Sequence, residues 1–317
     1  MGEARSVAVT GAAGYVGARV LVALEADASL DKLLALDTRP PAAPLARATF
    51  VAHDVTQPLD GLFREHGVDT VIHLAFVLRP GRSARARAEA WRVNVGGMEN
   101  VLRACAATGV RHFIYFSSHT IYGAHRDNPS PLTEEAPVRP NRGFQYGEHK
   151  AEAEAALRQF VQSNPRVTVT VLRSCVVMGP KASNFVTQAL FKPFLVGVLG
   201  CDPPMQFVHE EDVARLMHRM VVEPTPGVFN VAGEGTLRYS EMVRASGRKL
   251  YWLPAPVIYP LTQLAWWLGV QKDSPAVGLD NIRYPMVVST DKLKAATGFS
   301  FRHTSRQALD SFVSSPR

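Results

Sequence analysis

The stretch VAVTGAAGYVG, Val7 to Gly17, constrains the fold more than any other. An apolar β-rich run enters a turn with Gly11, Gly14 and Gly17 at three-residue intervals, and an amphipathic helix leaves it. The first glycine gives a tight turn its backbone freedom, the second lets an anion approach the main chain, and the third lets helix and strand pack closely. The helix N-terminus then faces the anion. The same alternation continues through "LLALD", "ATFVAHD", "TVIHLAF" and "HFIYFSS", with helical patterns at Tyr15 to Glu25, near Leu59 to His66, and ending near Thr108. Strands and helices alternating at this spacing predict βαβ units, hence an α/β fold with a doubly wound parallel sheet. Ligand is expected beyond the carboxyl ends of its strands.

Further along, "GFQYGEHKAEAEAAL" reads as a helix and "RVTVTVLRS" as a strand. Past about Val177 the pattern loosens, then returns in "FVHEEDVARLM" and "GVFNVAG". This predicts a nucleotide-type domain over 1–175 and 205–232, and a smaller discontinuous substrate lobe over 176–204 and 233–317. The segment from Leu250 to Val270 is uncharged over the length of a membrane span, but Pro254, Pro256 and Pro260 interrupt it. A loop, then a helix starting near Pro260 and packed against the core, is expected; a greasy lid or membrane-surface contact is the alternative. The net charge of +7 comes without a basic block or interleaved aromatics, so no nucleic-acid partner is expected. Three cysteines without CxxC spacing predict buried thiols, no metal and a reducing, cytoplasmic setting. No charged leader with an apolar core precedes the first strand, so no secretory signal is expected.

Asp37 ends the second strand twenty positions after Gly17, where a carboxylate can accept hydrogen bonds from adenosine ribose hydroxyls. That favours NAD, although Arg39 keeps NADP open, since a guanidinium there can bind a 2′-phosphate. Tyr146, Lys150, Ala153 and Leu157 follow the buried stripe of a helix. A buried ammonium must meet something polar, such as a ligand cleft; a lysine snorkelling toward Glu154 is the alternative. A tyrosine one turn before that cation is expected to have its phenol pKa pulled down. Ser117 and Ser118 end a strand where ligand is expected, and Ser118 could hydrogen-bond a reacting oxygen.

Together these features resemble the extended short-chain dehydrogenase/reductase family, also described as the NAD-dependent epimerase/dehydratase family. "TGAAGYVG", "HD" at His53 and Asp54, "HLAF", "VNVGGMENVL", "SSHTIYG", the Tyr146 to Lys150 spacing, "VLRSCVVMGP", "FVHEEDVA" and "VFNVAGEG" follow its landmarks in order. The resemblance implies a Rossmann-type fold and a homodimer. It also implies that Ser118 orients a substrate oxygen, Tyr146 exchanges its proton, and Lys150 lowers the tyrosine pKa while holding the nicotinamide ribose. Gly11, Gly14, Tyr15, Val16 and Gly17 would surround the pyrophosphate, Asp37 the ribose, Asp54 and Val55 the adenine, and Leu74, Ala75 and Phe76 the rest of the cofactor.

Departures from the family narrow the chemistry. Its dehydratases carry Asp-Glu where this chain has His119 and Thr120, so sugar dehydration is not expected. Sugar-nucleotide epimerases bind diphosphate through an arginine where this chain has Met205, and often carry an asparagine where it has Val176. Arg283 is a candidate for their later arginine, and Arg79, Arg82, Arg85, Arg87 and Arg92 could reach an anion or form a solvated face. With Phe76, His119, Thr120, Val176 and Met205 as substrate candidates, the expectation is an oxidoreductase interconverting a secondary alcohol and a ketone on a small, partly apolar molecule. The alternatives are a sugar-nucleotide epimerase and a nucleotide-binding regulator without turnover.

Overall fold

The computed structural model describes residues 5–79, 81–271 and 273–315. In chain order its elements begin with β1 (Arg5–Thr10), α1 (Tyr15–Glu25), β2 (Leu30–Asp37), β3 (Thr49–Ala52), α2 (Asp60–Glu65), β4 (Thr70–His73), α3 (Ala84–Trp91), α4 (Gly97–Thr108) and β5 (His112–Ser118). They continue with α5 (Gln145–Ser163), β6 (Thr168–Ser174), β7 (Val176–Met178), α6 (Phe185–Ala189), β8 (Phe194–Val198), β9 (Pro204–Met205), β10 (Phe207–His209), α7 (Glu210–Val222) and β11 (Gly227–Val231). The last are β12 (Leu237–Arg238), α8 (Tyr239–Ala245), β13 (Lys249–Leu253), α9 (Ala255–Leu268), α10 (Asp291–Thr297) and α11 (Ser305–Val313). The chain divides into two units, one over 1–117, 152–173 and 211–229, the other over 118–151, 174–210 and 230–317. The second unit takes in 118–151, which the sequence pattern groups with the first, because that segment leaves the alternation of strand and helix.

The first unit is built on a seven-stranded sheet in the order β11-β6-β5-β4-β1-β2-β3. β1 pairs in parallel with β2 and β4, β2 with β3, and β4 with β5. The chain steps outward from β1 to β3, then returns to start again at β4, so strand order reverses between β1 and β4. Such a reversal opens a crevice at the carboxyl ends of the two strands. The strands are near-continuous apolar runs because both faces are covered. Val7 to Val9 and Val71 to Ile72 are fully buried, and Met98, Val101, Phe113, Leu157 and Val171 complete the core around Leu34. α3 and α4 are joined through one π-helical turn, Arg92–Gly96, a distortion that often serves a functional side chain.

The second unit carries three two-stranded pairs: β7 parallel with β10, β9 antiparallel with β12, and β8 parallel with β13. Val198, Ile258 and Leu279 form a small core beside α9. The expectation of a helix starting near Pro260 does not hold, while the expected packing holds for one side alone, where Ile258, Ala255 and Tyr259 meet the small core. α9 begins at Ala255 with Pro260 inside it, and of its side chains only Ile258 is buried. Pro260 and Pro256 are both solvent-exposed, and Pro260, lacking an N–H, offers the Pro256 carbonyl no helical partner. Among the described residues no helix is long and apolar enough to cross a membrane.

Candidate active site

In the first unit, Gly11 adopts φ +71° immediately after β1, where a Cβ would fall 2.6 Å from the Ala75 amide nitrogen. A Cβ on Gly17 would lie 2.2 Å from the Gly11 carbonyl oxygen, so the start of α1 rests directly on the turn. α1 is capped by Gly14, which has no side chain to satisfy the opening N–H groups, and its first turn carries no acid. Tyr15 and Val16 are half-buried within that turn. A pyrophosphate fits here because it would lie at the positive end of the helix dipole, over a glycine turn that no side chain fills.

Asp37 folds back over this turn: Oδ2 accepts from the Ala13 amide at 3.0 Å and Oδ1 from the Arg39 amide at 3.3 Å. Each carboxylate oxygen retains capacity for a ribose hydroxyl. Arg39 is exposed two residues on. Asp54 accepts from the Thr56 amide at 2.9 Å, from its hydroxyl at 2.8 Å and from Arg92 at 3.5 Å. Burial pushes this carboxyl up, but the Thr56 and Arg92 bonds outweigh it and hold the group below its ordinary value. Arg92 also binds Glu89 and Thr56, so this member of the basic segment braces the site's own wall. Val55 is buried, with its carbonyl bound by Asn100 at 2.7 Å.

Two residues absent from the sequence-derived set shape the loop after β4. Thr10 receives the Leu74 and Ala75 amides at 3.3 and 3.4 Å while bonding His73 at 2.8 Å. Asn94, in the π-helical turn, accepts from the Val77 amide at 2.6 Å and donates to the Val77 carbonyl at 3.1 Å. Leu74, Ala75 and Phe76 are thereby pinned at both ends. The signal that could have found Asn94 was its place in "VNVGGMENVL"; for Thr10 it was only its position before Gly11.

Ser118, Tyr146 and Lys150 all fall in the second unit. Ser118 caps the short 3-10 turn His119–Tyr122, accepting from the Thr120 amide at 3.2 Å and the Thr120 hydroxyl at 3.0 Å. With both lone pairs engaged, its single proton is directed outward, and its partner is the Tyr146 hydroxyl. Tyr146 and Lys150 lie one turn apart on α5, and Lys150 is only 4% exposed, as the buried stripe required. Gly147 between them brings α5 against the Thr120 carbonyl, which a Cβ would meet at 3.0 Å. The expected lowering of the tyrosine pKa is overturned: burial pushes the phenol up, and the Ser118 bond only partly opposes this.

Glu154, one turn beyond Lys150, is buried in the first unit, where it accepts from Ser117 at 2.5 Å and from Arg173 Nη2 at 2.7 Å. The alternative of a surface Lys150 reaching toward Glu154 is therefore replaced by a buried carboxylate held by an arginine. This network braces the strand end that leads into Ser118.

Tyr146 packs edge-on against Phe144 and Phe185, with ring centroids 6.2 and 6.1 Å apart. Those two rings also line a cavity of about 440 Å³ within the second unit, with Val186, Leu195, Met205, Met242 and Leu279 among its walls. Met205 thus joins the cavity, whereas His119, Thr120 and Val176 are not among its lining residues, and Phe76 belongs to the other unit. His119 is buried, its Nδ1–H donating to the Ser174 carbonyl at 2.9 Å, and burial lowers its pKa, so it is a neutral brace. Val176 is a strand residue of β7. Arg283 lies over the Tyr259 and Tyr284 rings, 5.5 and 5.0 Å from their centroids, and does not line the cavity. Among the described lining residues Lys192 is the one cation, and it is paired with Asp273.

Residues 7–232 match the family described as the NAD dependent epimerase/dehydratase family. A UDP-glucose 4-epimerase of Erwinia amylovora is 32% identical, over 76% of this chain and 81% of its own. An uncharacterised protein of Mycobacterium tuberculosis is 26% identical, over 96% of this chain and 82% of its own. MoeE5, solved in complex with UDP-glucuronic acid and NAD, superimposes with a TM-score of 0.76 at 21% identity, covering 97% of each chain. The UDP-glucose 4-epimerase of Thermus thermophilus, solved in complex with NAD, does so at 0.74 and 23%, again over 97% of each. The two structures share the fold seen here, and the match over residues 7–232 goes further: the chain belongs to the NAD-dependent epimerase/dehydratase family, as an enzyme of the extended short-chain dehydrogenase/reductase type.

Proposed function

We propose that this enzyme interconverts a secondary alcohol and a ketone on a small, partly apolar substrate, with net oxidation or reduction. The observation that carries the reading is the cavity lined by Phe144 and Phe185, the two rings that pack on Tyr146. Its walls are mostly apolar, and its one described cation is already neutralised by Asp273. A buried diphosphate would need a guanidinium or an uncommitted ammonium. An apolar body with one hydroxyl or carbonyl needs only a proton-transfer pair at one end.

In the oxidising direction Tyr146 takes the hydroxyl proton while Ser118 donates to the same oxygen and holds it in place. Lys150 stabilises the phenolate that accepts this proton and holds the ribose next to the nicotinamide. Gly11, Gly14, Tyr15, Val16 and Gly17 would hold the pyrophosphate, Asp37 the ribose diol, and Asp54 and Val55 the adenine, with Leu74, Ala75 and Phe76 along the remainder. NAD, when bound, supplies the hydride acceptor. The Asp37 carboxylate favours NAD because it would repel a 2′-phosphate.

A second reading is favoured by the relatives: the Erwinia amylovora protein is a UDP-glucose 4-epimerase. Epimerisation would use the same proton transfer and end with the cofactor as it began. Incubation with NAD and a panel of cyclic secondary alcohols, beside UDP-glucose, separates the two. The redox reading expects one NADH for each ketone formed and no change in the sugar nucleotide. Conversion of UDP-glucose to its epimer without NADH would overturn it.

A further inference from the structure

Helix α9 is amphipathic in the wrong sense for a helix in water. Its exposed stripe runs through Val257, Pro260, Leu261, Leu264, Trp267 and Leu268, a spacing that keeps all six on one side. Trp267 and Leu268 are each 69% exposed, and Val270 just beyond the helix is 79% exposed. The polar side chains turn the other way: Gln263 accepts from the Ala276 amide at 3.1 Å, and the Tyr259 hydroxyl donates to Asp280. Scattered exposed apolar residues are ordinary on a protein surface, but a continuous stripe of this kind marks a contact site.

The surrounding surface extends the stripe and adds charge. β13 leads through Pro254 into α9, and its Tyr251 stacks edge-on with Phe194 of β8 at 5.6 Å, both about half exposed. Lys249 lies in register with Phe194 and is exposed, whereas Lys192, two residues before Phe194, is paired with Asp273. The chain as a whole carries +7. A second copy carries the same net positive charge, which opposes its docking here. An anionic lipid surface would meet the apolar stripe, the exposed Lys249 and the net positive charge of the chain. With 14 residues, α9 is roughly 21 Å long, too short to cross a hydrocarbon core of about 30 Å but suited to lie along one.

We infer that α9 and the neighbouring β8–β13 edge form a membrane-surface foot that rests on anionic phospholipid, α9 lying in the plane of the interface. The foot shares elements with the cavity, since Thr262 of α9 and Phe194 of β8 line it. If the redox reading above holds, the substrate is therefore one that partitions into lipid. The docking itself does not depend on turnover.

Co-sedimentation with vesicles tests this, using phosphatidylcholine alone and an equimolar mixture of phosphatidylcholine and phosphatidylglycerol. Wild type is expected to pellet with the mixed vesicles, and the Leu264→Glu/Trp267→Glu double variant to bind them roughly tenfold more weakly. Lys249→Glu is expected to weaken binding to the mixed vesicles alone. All three positions are exposed, so thermal melts matching wild type establish that the variants are folded. Wild type left in the supernatant with both vesicles would overturn the inference, as would a double variant that pellets like wild type. A wild-type dimer that the double variant converts to monomer would also overturn it, assigning the face to a second copy. Because binding is scored without substrate, its failure leaves the redox reading standing, and loss of the redox reading leaves the foot standing.

Discussion

Ser118 has its hydrogen-bonding capacity arranged in advance: two donors from Thr120 fill its lone pairs, so its proton can go only outward, toward the Tyr146 oxygen or a substrate in its place. Ser118→Ala is expected to lower kcat roughly a hundredfold while leaving NAD affinity within about twofold, measured by steady-state rates and by fluorescence titration. Because burial raises the Tyr146 pKa, the phenol stays protonated through neutral pH and acts first as an acid. Alcohol oxidation needs the phenolate, so its rate should climb as pH rises into the alkaline range. Ketone reduction needs the phenol and should fall over the same range. A common direction for both profiles would contradict this assignment. Behind the strand end, Glu154 and Arg173 form a buried pair, and removing one partner strands the other's charge. Arg173→Met is expected to cost about 3–5 kcal/mol in urea denaturation. The burial of Lys150 was legible from helix periodicity alone. The direction of the tyrosine shift was not, because the rings that bury it include Phe185, about forty positions downstream and in no periodic relation to α5.

The strand–turn–helix unit at the start of the chain was legible because each glycine answers a local steric demand. Gly17→Ala is expected to destabilise the fold by roughly 1–3 kcal/mol and to abolish NAD binding, since its Cβ would lie 2.2 Å from the Gly11 carbonyl and push α1 off the turn. Calorimetric titration and a thermal melt would check the two effects separately. The order of the sheet was readable in outline because fully buried strands and alternating helices leave few topologies. α9 departs from the sequence expectation for a physical reason. Its prolines signal a loop and its apolar residues signal a core, yet Pro254 and Pro256 sit at a helix start, where proline is tolerated, and the apolar side chains face outward. Sequence periodicity reports that a stripe exists and does not say which side of it is wet.

Across the molecule, acid should act through groups that the fold keeps unprotonated. Burial, aided by the Arg5 charge, holds His112 at about 4 against an ordinary 6.5. The unfolded chain therefore binds the extra proton first, and this contribution to stability is full above 6.5 and lost as pH falls toward 4. Asp27, held at about 2 by hydrogen bonds from Ser29 and by His218, contributes above 3.8 and loses that contribution as pH falls toward 2. Urea midpoints should drop between about pH 7 and about pH 4.5, and His112→Gln should flatten that drop. The apolar cavity was the least legible feature, because its walls come from separate stretches of the second unit, from Phe144 to Ile282, that no local pattern links. Of the lining residues Met205 alone stands out in the sequence, at a position where the family resemblance implies an arginine. The central claim is net redox chemistry driven by proton transfer at Tyr146. It is tested most directly by NADH formation from a cyclic secondary alcohol, comparing wild type with Tyr146→Phe at saturating NAD. The account predicts one NADH per ketone for wild type and a rate roughly a hundredfold to ten-thousandfold lower for the variant, with NAD binding retained. Unchanged NADH formation by Tyr146→Phe would contradict it.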